Sequence, residues 1–544
     1  MNSISDEITP ETSCESRRID DSISDKNGMK TGCSTSKSGD SENDSCSDSA
    51  LLQFVVDLVT SKRLLTSQTS FVKKISSEAV MEDDRKVVEF VFPELFENGT
   101  KGSISLDSAT NGVSDSDLRK LFSEAVKFSV KTGNPYFRNQ LYGGADPYGV
   151  AAAWLVEALN TNQGTFEIAP FFSMVEREIL KQIRHLIGWN SGDGIFSPGG
   201  SVANMYGIVA SRYKKFPNSK TQGLHGLPPM AVFASEDSHY SIAKSAHWVG
   251  IGTENVVPVR TDELGRMIPD DLEWKINQSK GAGKVPICVI ATCGSTVLGA
   301  FDPLPEIGAL CRKHDLWLHV DACMGGAVIF SGKFRHLLNG VEEADSFIWN
   351  PHKMLGAPLQ CSAFLIKEPG FLLECNKASA AYLFQQDKFY DVSYDSGDKS
   401  VQCGRKTDSF KLWAMWKARG TSGFRNLVEN AFHCANYFYD QLKDKDGFKL
   451  VLPAKQSAHV CFWYIPVRLR GLEETEEWWN EVSKVAPEIK KRMTLKGSMM
   501  IGYQPLASKK LRNFFRLVIT CHPSLTHQHM DEIVSEIDRL GQNI

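Results

Sequence analysis

From about Ala151 onward, helical stretches alternate with short apolar runs that stop abruptly at polar residues or glycine, and few folds satisfy that alternation. Met230–Ala234, Val285–Thr292, Leu316–Asp321 and Ser346–Asn350 are short and almost continuously apolar, so they read as strands buried on both faces. Phe171–Ile187 places Phe172, Val175, Ile179, Ile183 and Leu186 on one face of an amphipathic helix. The pattern predicts an α/β architecture whose central sheet is mostly parallel and covered by helices on both faces. At 544 residues the chain exceeds what one core usually serves, so smaller N- and C-terminal domains are expected beside it. The reading is a disordered tail over 1–50, rich in Ser, Asp, Glu, Gly and Thr and nearly free of aromatics, with order starting near Leu51. A helical segment over 51–137, a large domain over 138–414 and a small C-terminal domain over 415–544 follow.

Several function classes are disfavoured. The formal charge is -4 and lysine and arginine form no dense cluster, so nucleic acid is not an expected partner. No run approaches the roughly 18 apolar residues of a membrane span; the best candidate, Ala151–Leu159, contains Glu157. The start, Met-Asn-Ser-Ile-Ser-Asp-Glu, has neither the basic and apolar parts of a secretory signal nor the acid-poor character of a transit peptide, so a cytoplasmic location is expected. The 13 cysteines show no CxxC and no regular spacing, which argues for reduced thiols and against a metal site.

Four segments stand where a strand ends or a helix opens, the places where ligands gather in open α/β sheets. Ser197-Pro-Gly-Gly-Ser-Val-Ala-Asn204 precedes the helical stretch Met205–Tyr213. Its glycines let backbone approach an anion, Ser201 can cap the helix, and free amides with the helix dipole favour phosphate, although alone the segment reads as an ordinary capped loop. In Ser238-His239-Tyr240-Ser241, the histidine either stacks on an aromatic cofactor or satisfies a loop hydrogen bond. Asp321 ends a strand that is apolar on both sides, and a buried carboxylate needs a mate. A protonated pyridine nitrogen would supply one, as would a structural ion pair. Lys353, in Trp349-Asn-Pro-His-Lys-Met354, sits after another buried strand, where desolvation can turn an amine into a nucleophile toward an aldehyde. A lone lysine is usually a solvated charge; the specificity lies in the four together.

In that order, these residues resemble the group II pyridoxal-phosphate (PLP) dependent decarboxylases, specifically the branch acting on glutamate, cysteine sulfinate and aspartate. The likeness runs from about residue 130 to the C-terminus. It includes Asn139-Gln140-Leu141, Asp193–Gly200, Leu298–Pro303, Leu-His-Val-Asp321, Leu359–Ser362, Tyr382–Asp395, Gly-Asp-Lys399, Gln-Cys-Gly-Arg405, Gly-Tyr-Gln-Pro505 and Asn-Phe-Phe-Arg516. The resemblance implies PLP-dependent fold type I, with residues 138–414 as the PLP-binding domain and a homodimer with active sites at the interface. It further implies that Lys353 carries PLP as a Schiff base, that Asp321 pairs with the pyridine nitrogen and that His239 stacks on the ring. Gly200, Ser201 and Thr296 would serve the phosphate, and His352 would lie next to the Schiff base. Gln140 and Tyr142 would line the substrate pocket, Arg516 would bind the substrate carboxylate, and Tyr382 would protonate the carbon that loses CO2.

The sequence also departs from the branch. Ala322-Cys323-Met324-Gly325-Gly326 and Gly294-Ser295-Thr296 replace more usual residues, and Gly164 stands where an aromatic is common; by the resemblance, Cys323 would lie beneath the cofactor ring. Arg138 adds a possible cation at the substrate entrance, although a solvent-facing arginine is equally consistent. The stretch Arg138–Gly149 with Cys323 looks most like insect-type aspartate 1-decarboxylases, whereas Asn162 looks more like glutamate decarboxylase. The expected activity is aspartate to β-alanine or cysteine sulfinate to hypotaurine. Glutamate to GABA is the near alternative, and a degenerate, non-catalytic PLP-fold binding protein the distant one.

Overall fold

Neighbouring residues of the central strands belong to different cores, which is what makes the sheet the middle layer of the molecule. Val289 and Ala291 pack into one apolar cluster, while Cys288 and Ile290, between and beside them, pack into another. The structure, a computed structural model, describes residues 42–62, 64–65, 86–106 and 112–544.

Two compact units divide at Ala50, and the described part of the first is the beginning of helix α1, Glu42–Ser61. Most of the expected tail lies outside the described residues. Where it enters them, the helix already begins at Glu42 rather than near Leu51, because extending a formed helix costs far less than nucleating one.

In the second unit, α2 (Pro93–Ile104) and α3 (Asp115–Phe128) precede the two-residue strand β1, Phe137–Arg138. Helices α4 (Pro147–Leu159) and α5 (Pro170–Ile187) lead into β2, Asp193–Phe196. The expected face of α5 is buried at Phe172, Val175, Ile179 and Ile183, with Leu186 half-buried at its edge. Then come α6 (Gly200–Lys215), β3 (Met230–Ser235), α7 (Ser241–Trp248), β4 (Val256–Val259), α8 (Pro269–Gly281) and β5 (Val285–Thr292). Helix α9 (Leu304–His314) precedes β6 (Trp317–Asp321), β7 (Ser346–Trp349) and β8 (Ala363–Ile366).

These seven strands form one sheet in the order β2-β8-β7-β6-β5-β3-β4. Strands β4, β3, β5, β6 and β7 are mutually parallel, and β8 runs against both of its neighbours. The carboxyl ends of β2, β3, β5, β6 and β7 therefore share one edge, and every expected cofactor residue ends or follows one of them.

The chain continues through α10 (Ser409–Lys443), β9 (Phe448–Leu450), β10 (His459–Tyr464), α11 (Glu476–Lys496), β11 (Met500–Leu506), β12 (Leu511–Val518) and α12 (His527–Gly541). A second sheet, β1-β11-β12-β10-β9, is antiparallel except for the β1–β11 pairing. A division at residue 415 falls within α10, whose backbone leaves helical geometry at Gly420 (φ 65, ψ 171).

Candidate active site

Strand β2 turns into α6 through Gly199, whose φ of 110 suits glycine far better than any other residue. No side chain caps α6, and Ser201 does not do so as expected: the N-cap is Gly199, and Ser201 lies inside the first turn. The consequence is chemical, since the first amides of a 16-residue helix, with its dipole behind them, are not taken up by a capping side chain and could serve an anion. Gly200 is glycine for close packing, because a Cβ there would stand 2.6 Å from the Cys323 sulfur and 2.8 Å from Asn350 Nδ2.

That helix start borders a pocket of about 240 Å³ lined by Gly200, Ser201, His239, Thr296, Asp321, Cys323, His352 and Lys353, together with Asn204 and Asn350. Eight expected residues, scattered over some 150 positions of sequence, thus meet at the carboxyl edge of the sheet. A larger groove of about 650 Å³ lies beside Trp463, Trp479 and Arg512 on the second sheet and contains none of them.

Asp321 ends β6 and is buried, yet two groups donate to it and a cation lies within electrostatic reach. Asn204 Nδ2 donates to one carboxylate oxygen at 2.9 Å and the Cys323 amide to the other at 3.1 Å, with the Lys353 ammonium close by. Burial pushes its pKa up, but the cation and these donors outweigh burial and hold the carboxyl below its ordinary range. Burial, reinforced by the Asp321 charge, drives the Cys323 thiol well up, so it lines the pocket as a neutral group. His239 follows β3, with Nδ1 2.7 Å from the Ser241 hydroxyl. Burial and the Lys353 cation push it down despite Asp321, which keeps the ring neutral near pH 7. His352 is tied through Nδ1 to the Cys361 carbonyl at 2.5 Å, and burial pushes it down to about 4.

The remaining expected residues lie elsewhere. Arg516 on β12 is buried beside the pocket, donating from Nη1 to the Thr296 carbonyl at 2.7 Å and from Nη2 to the Asn139 carbonyl at 3.3 Å. Among the described residues no carboxylate pairs with it, and burial lowers its pKa. The buried His459 ring feels both Arg516 and Lys353, and burial with those two cations pushes it down to about 3, so the charges of β12 and of the pocket lie within electrostatic reach of one ring. Gln140 is exposed and Tyr142 half-buried; neither lines the pocket within one chain.

Arg138 is a correction. It lies neither at a pocket entrance nor in solvent but is 1% exposed, because the β1–β11 pairing draws it under the second sheet. Nη1 reaches Thr520 Oγ1 at 3.4 Å, and burial pushes the guanidinium down to about 9. Tyr382 is likewise outside the pocket, on a loop where it is 81% exposed.

Motifs with no evident chemistry turn out to anchor this region. Asp398 accepts the amides of Ala378 and Ser379 at the base of the Tyr382 loop, and Lys399 pairs with Asp193 at 2.8 Å. Arg405 pairs with Glu176 at 2.5 Å, both buried, while Glu176 also accepts the Phe196 amide at the end of β2. Asn162 accepts the Arg405 amide and donates to the Cys403 carbonyl, so this glutamate-decarboxylase-like residue has a structural task. Sequence reading missed Ser241, His319 and Ser346; the histidine's position two residues before Asp321 in a buried strand was the available signal.

The donor set suits PLP. An uncapped helix start could hold a phosphate, a buried ionised aspartate could pair with a pyridinium nitrogen, and Lys353 lines the same pocket. The family model for the pyridoxal-dependent decarboxylase conserved domain matches residues 107–465. Cysteine sulfinic acid decarboxylase of Homo sapiens is 46% identical over 496 residues, covering 91% of this chain and 99% of that protein. Acidic amino acid decarboxylase GADL1 of Mus musculus is 49% identical over 462 residues, covering 85% and 82%. The crystal structure of mouse CSAD superimposes with a TM-score of 0.85 at 44% identity over 92% of this chain and 100% of that one. On the matched domain, these relatives and the geometry of the pocket, the chain belongs to the pyridoxal-dependent decarboxylase family.

Proposed function

We propose that this chain, with PLP on Lys353, removes the α-carboxylate of a small acidic amino acid, cysteine sulfinate or aspartate in preference to glutamate. The observation that carries the substrate class is Arg516, a buried cation without a carboxylate partner among the described residues and one hydrogen bond from pocket-lining Thr296. A buried cation is stabilised by an anion, and the second acidic group of such a substrate supplies one. The relatives' names support the same class, since they act on cysteine sulfinic acid and on acidic amino acids.

When bound, PLP provides the electron sink into which the bond to the departing CO2 can drain. The protein's part is positioning and charge. Lys353 offers its amine at the pocket wall after β7, and the amides at the start of α6 with Thr296 would hold the phosphate end. Asp321, kept ionised, would pair with the ring nitrogen and favour its protonated form, and His239 would pack on the ring as a neutral imidazole. Cys323 lines the pocket as a small apolar wall, and Met324 packs in the core behind it, so the departures from the branch leave Lys353 and Asp321 in place.

Tyr382, exposed in its own chain, serves as proton donor in the pocket of a second copy. Trp154, Leu155 and Leu159 on α4 with Phe171 and Met174 on α5 leave an exposed apolar surface, which supports a homodimer. A cytoplasmic location belongs to the same proposal; no helix among the described residues is long and apolar enough to cross a membrane, and the ten described cysteines are free thiols, nine of them buried.

Measuring kcat/KM for CO2 release from cysteine sulfinate, aspartate and glutamate tests the reading. Higher values for the first two support it. A clear preference for glutamate overturns it.

A further inference from the structure

Asn204, already a donor to Asp321, and His319, which has no role in the chemistry above, are 1% and 0% exposed and lie in hydrogen-bond contact. His319 Nε2 is 3.0 Å from Asn204 Oδ1, and His319 Nδ1 is 2.8 Å from Ser346 Oγ, which accepts the Trp317 indole N–H at 2.7 Å. On its other side Asn204 Nδ2 donates to Asp321 at 2.9 Å and to Ser241 Oγ at 3.0 Å. Ser241 Oγ in turn lies 2.7 Å from His239 Nδ1, which also accepts the Ser241 amide at 3.2 Å.

Donor counting gives this chain one direction. The Asp321 carboxylate only accepts, so Asn204 turns Nδ2 to it and Oδ1 to His319 Nε2. The Ser346 hydroxyl accepts the Trp317 indole N–H and turns its own hydrogen toward His319 Nδ1. Burial pushes His319 down to about 4, so it is neutral and carries its proton on Nε2, which donates to Asn204 Oδ1. With its oxygen taken, the asparagine aims both N–H bonds the other way, one at Asp321 and one at Ser241. Ser241 passes its hydrogen to His239 Nδ1, leaving the His239 proton on Nε2. Gly207, one turn after Asn204 on α6, makes the contact possible: a Cβ there would stand 2.8–2.9 Å from three atoms of the His319 ring.

We propose that Asn204 is a positioning residue that sets two protonation states at once, Asp321 as a carboxylate toward the cofactor's ring nitrogen and His239 as the Nε2–H tautomer, with His319 and Ser346 fixing its direction. This rests on Asp321 being the ring-nitrogen partner. Asn204→Asp keeps the shape and reverses the polarity, placing two carboxylates in contact so that one must take up a proton. His319→Leu removes the donor to Asn204, and His319→Gln restores an N–H in a similar place.

The test is reconstitution of full-length apo-protein with PLP, reading the dissociation constant and the visible absorbance of the bound cofactor, with Asp321→Asn as reference. Loss of a charge-assisted hydrogen bond predicts that Asn204→Asp, His319→Leu and Asp321→Asn each weaken PLP binding about tenfold or more and shift the band, with His319→Gln closer to wild type. The inference is overturned if Asp321→Asn shows the loss while Asn204→Asp and His319→Leu stay within about twofold of wild type with an unshifted band. It is overturned equally if His319→Gln falls with His319→Leu, a comparison that decides alone should Asn204→Asp not fold. An Asp321→Asn protein that binds PLP like wild type overturns the ring-nitrogen reading itself.

Discussion

Replacing Arg405 by leucine strands a charge inside the protein. Arg405 and Glu176 are both buried, and the pair is embedded in further bonds: Arg405 Nη1 to the Gln163 carbonyl at 2.8 Å and to Ser396 at 2.7 Å, and Glu176 to the amides of Gln163 at 3.2 Å and Phe196 at 2.9 Å. Removing one member of such a pair costs about 3–5 kcal/mol, most of it the uncompensated partner. Glu176→Leu should cost a similar amount by the reverse route, whereas the double variant should cost at least about 2 kcal/mol less than the sum, since neither charge remains. Urea midpoints at saturating PLP for the four proteins measure this. Because Glu176 holds the last residue of β2, just before the Ser197–Gly200 loop, both single variants should also release PLP faster. Single-variant losses below about 1 kcal/mol, or costs that add within about 0.5 kcal/mol, would refute the assignment of the pair as the anchor of that loop.

Further outcomes follow from the same structure. His319 is pushed down to about 4 in the folded chain against an ordinary 6.5, so below pH 6.5 the unfolded chain takes up a proton that the folded one refuses. Its stability contribution is therefore present above pH 6.5 and lost as pH falls toward 4, by about 3 kcal/mol in all; unfolding midpoints of His319→Gln should vary less over that window. Arg516→Lys should raise KM for cysteine sulfinate about tenfold or more with a smaller change in kcat, read from initial rates of CO2 release, because a point charge replaces the guanidinium fork. Arg138→Met should leave KM within about twofold and the urea midpoint unchanged or higher, since a buried cation with no carboxylate partner among the described residues is replaced by an apolar chain of similar size. Asp302→Asn should lower stability by about 1–3 kcal/mol, because Asp302 accepts the Met267 and Thr292 amides at 2.7 Å each and an NH2 group cannot replace both acceptors.

The central sheet was legible because buried strands on both faces leave a continuous apolar record: β3, β5, β6 and β7 fall within a residue of the expected runs. The cofactor pocket was legible for the same reason, since its residues sit just past those strands. What the sequence hid is whatever depends on pairing across the chain. Arg138 lies in a polar-looking stretch, and only its pairing with β11 shows that it goes inside. Ser201 has the right chemistry for a cap, but the turn is made by Gly199, which moves the helix start upstream of it. The roles of Asn204 and Ser241 are set by a contact between α6 and the start of α7, elements with no sequence proximity.

The attachment of PLP to Lys353 carries the rest of the account, and it can be read directly. Borohydride reduction of the PLP-loaded protein, followed by digestion and mass spectrometry, should place a single stable pyridoxyl group on the peptide containing Asn350-Pro-His-Lys353, with none on the Lys353→Ala protein. A label on another lysine, or the same labelling of Lys353→Ala, would contradict it.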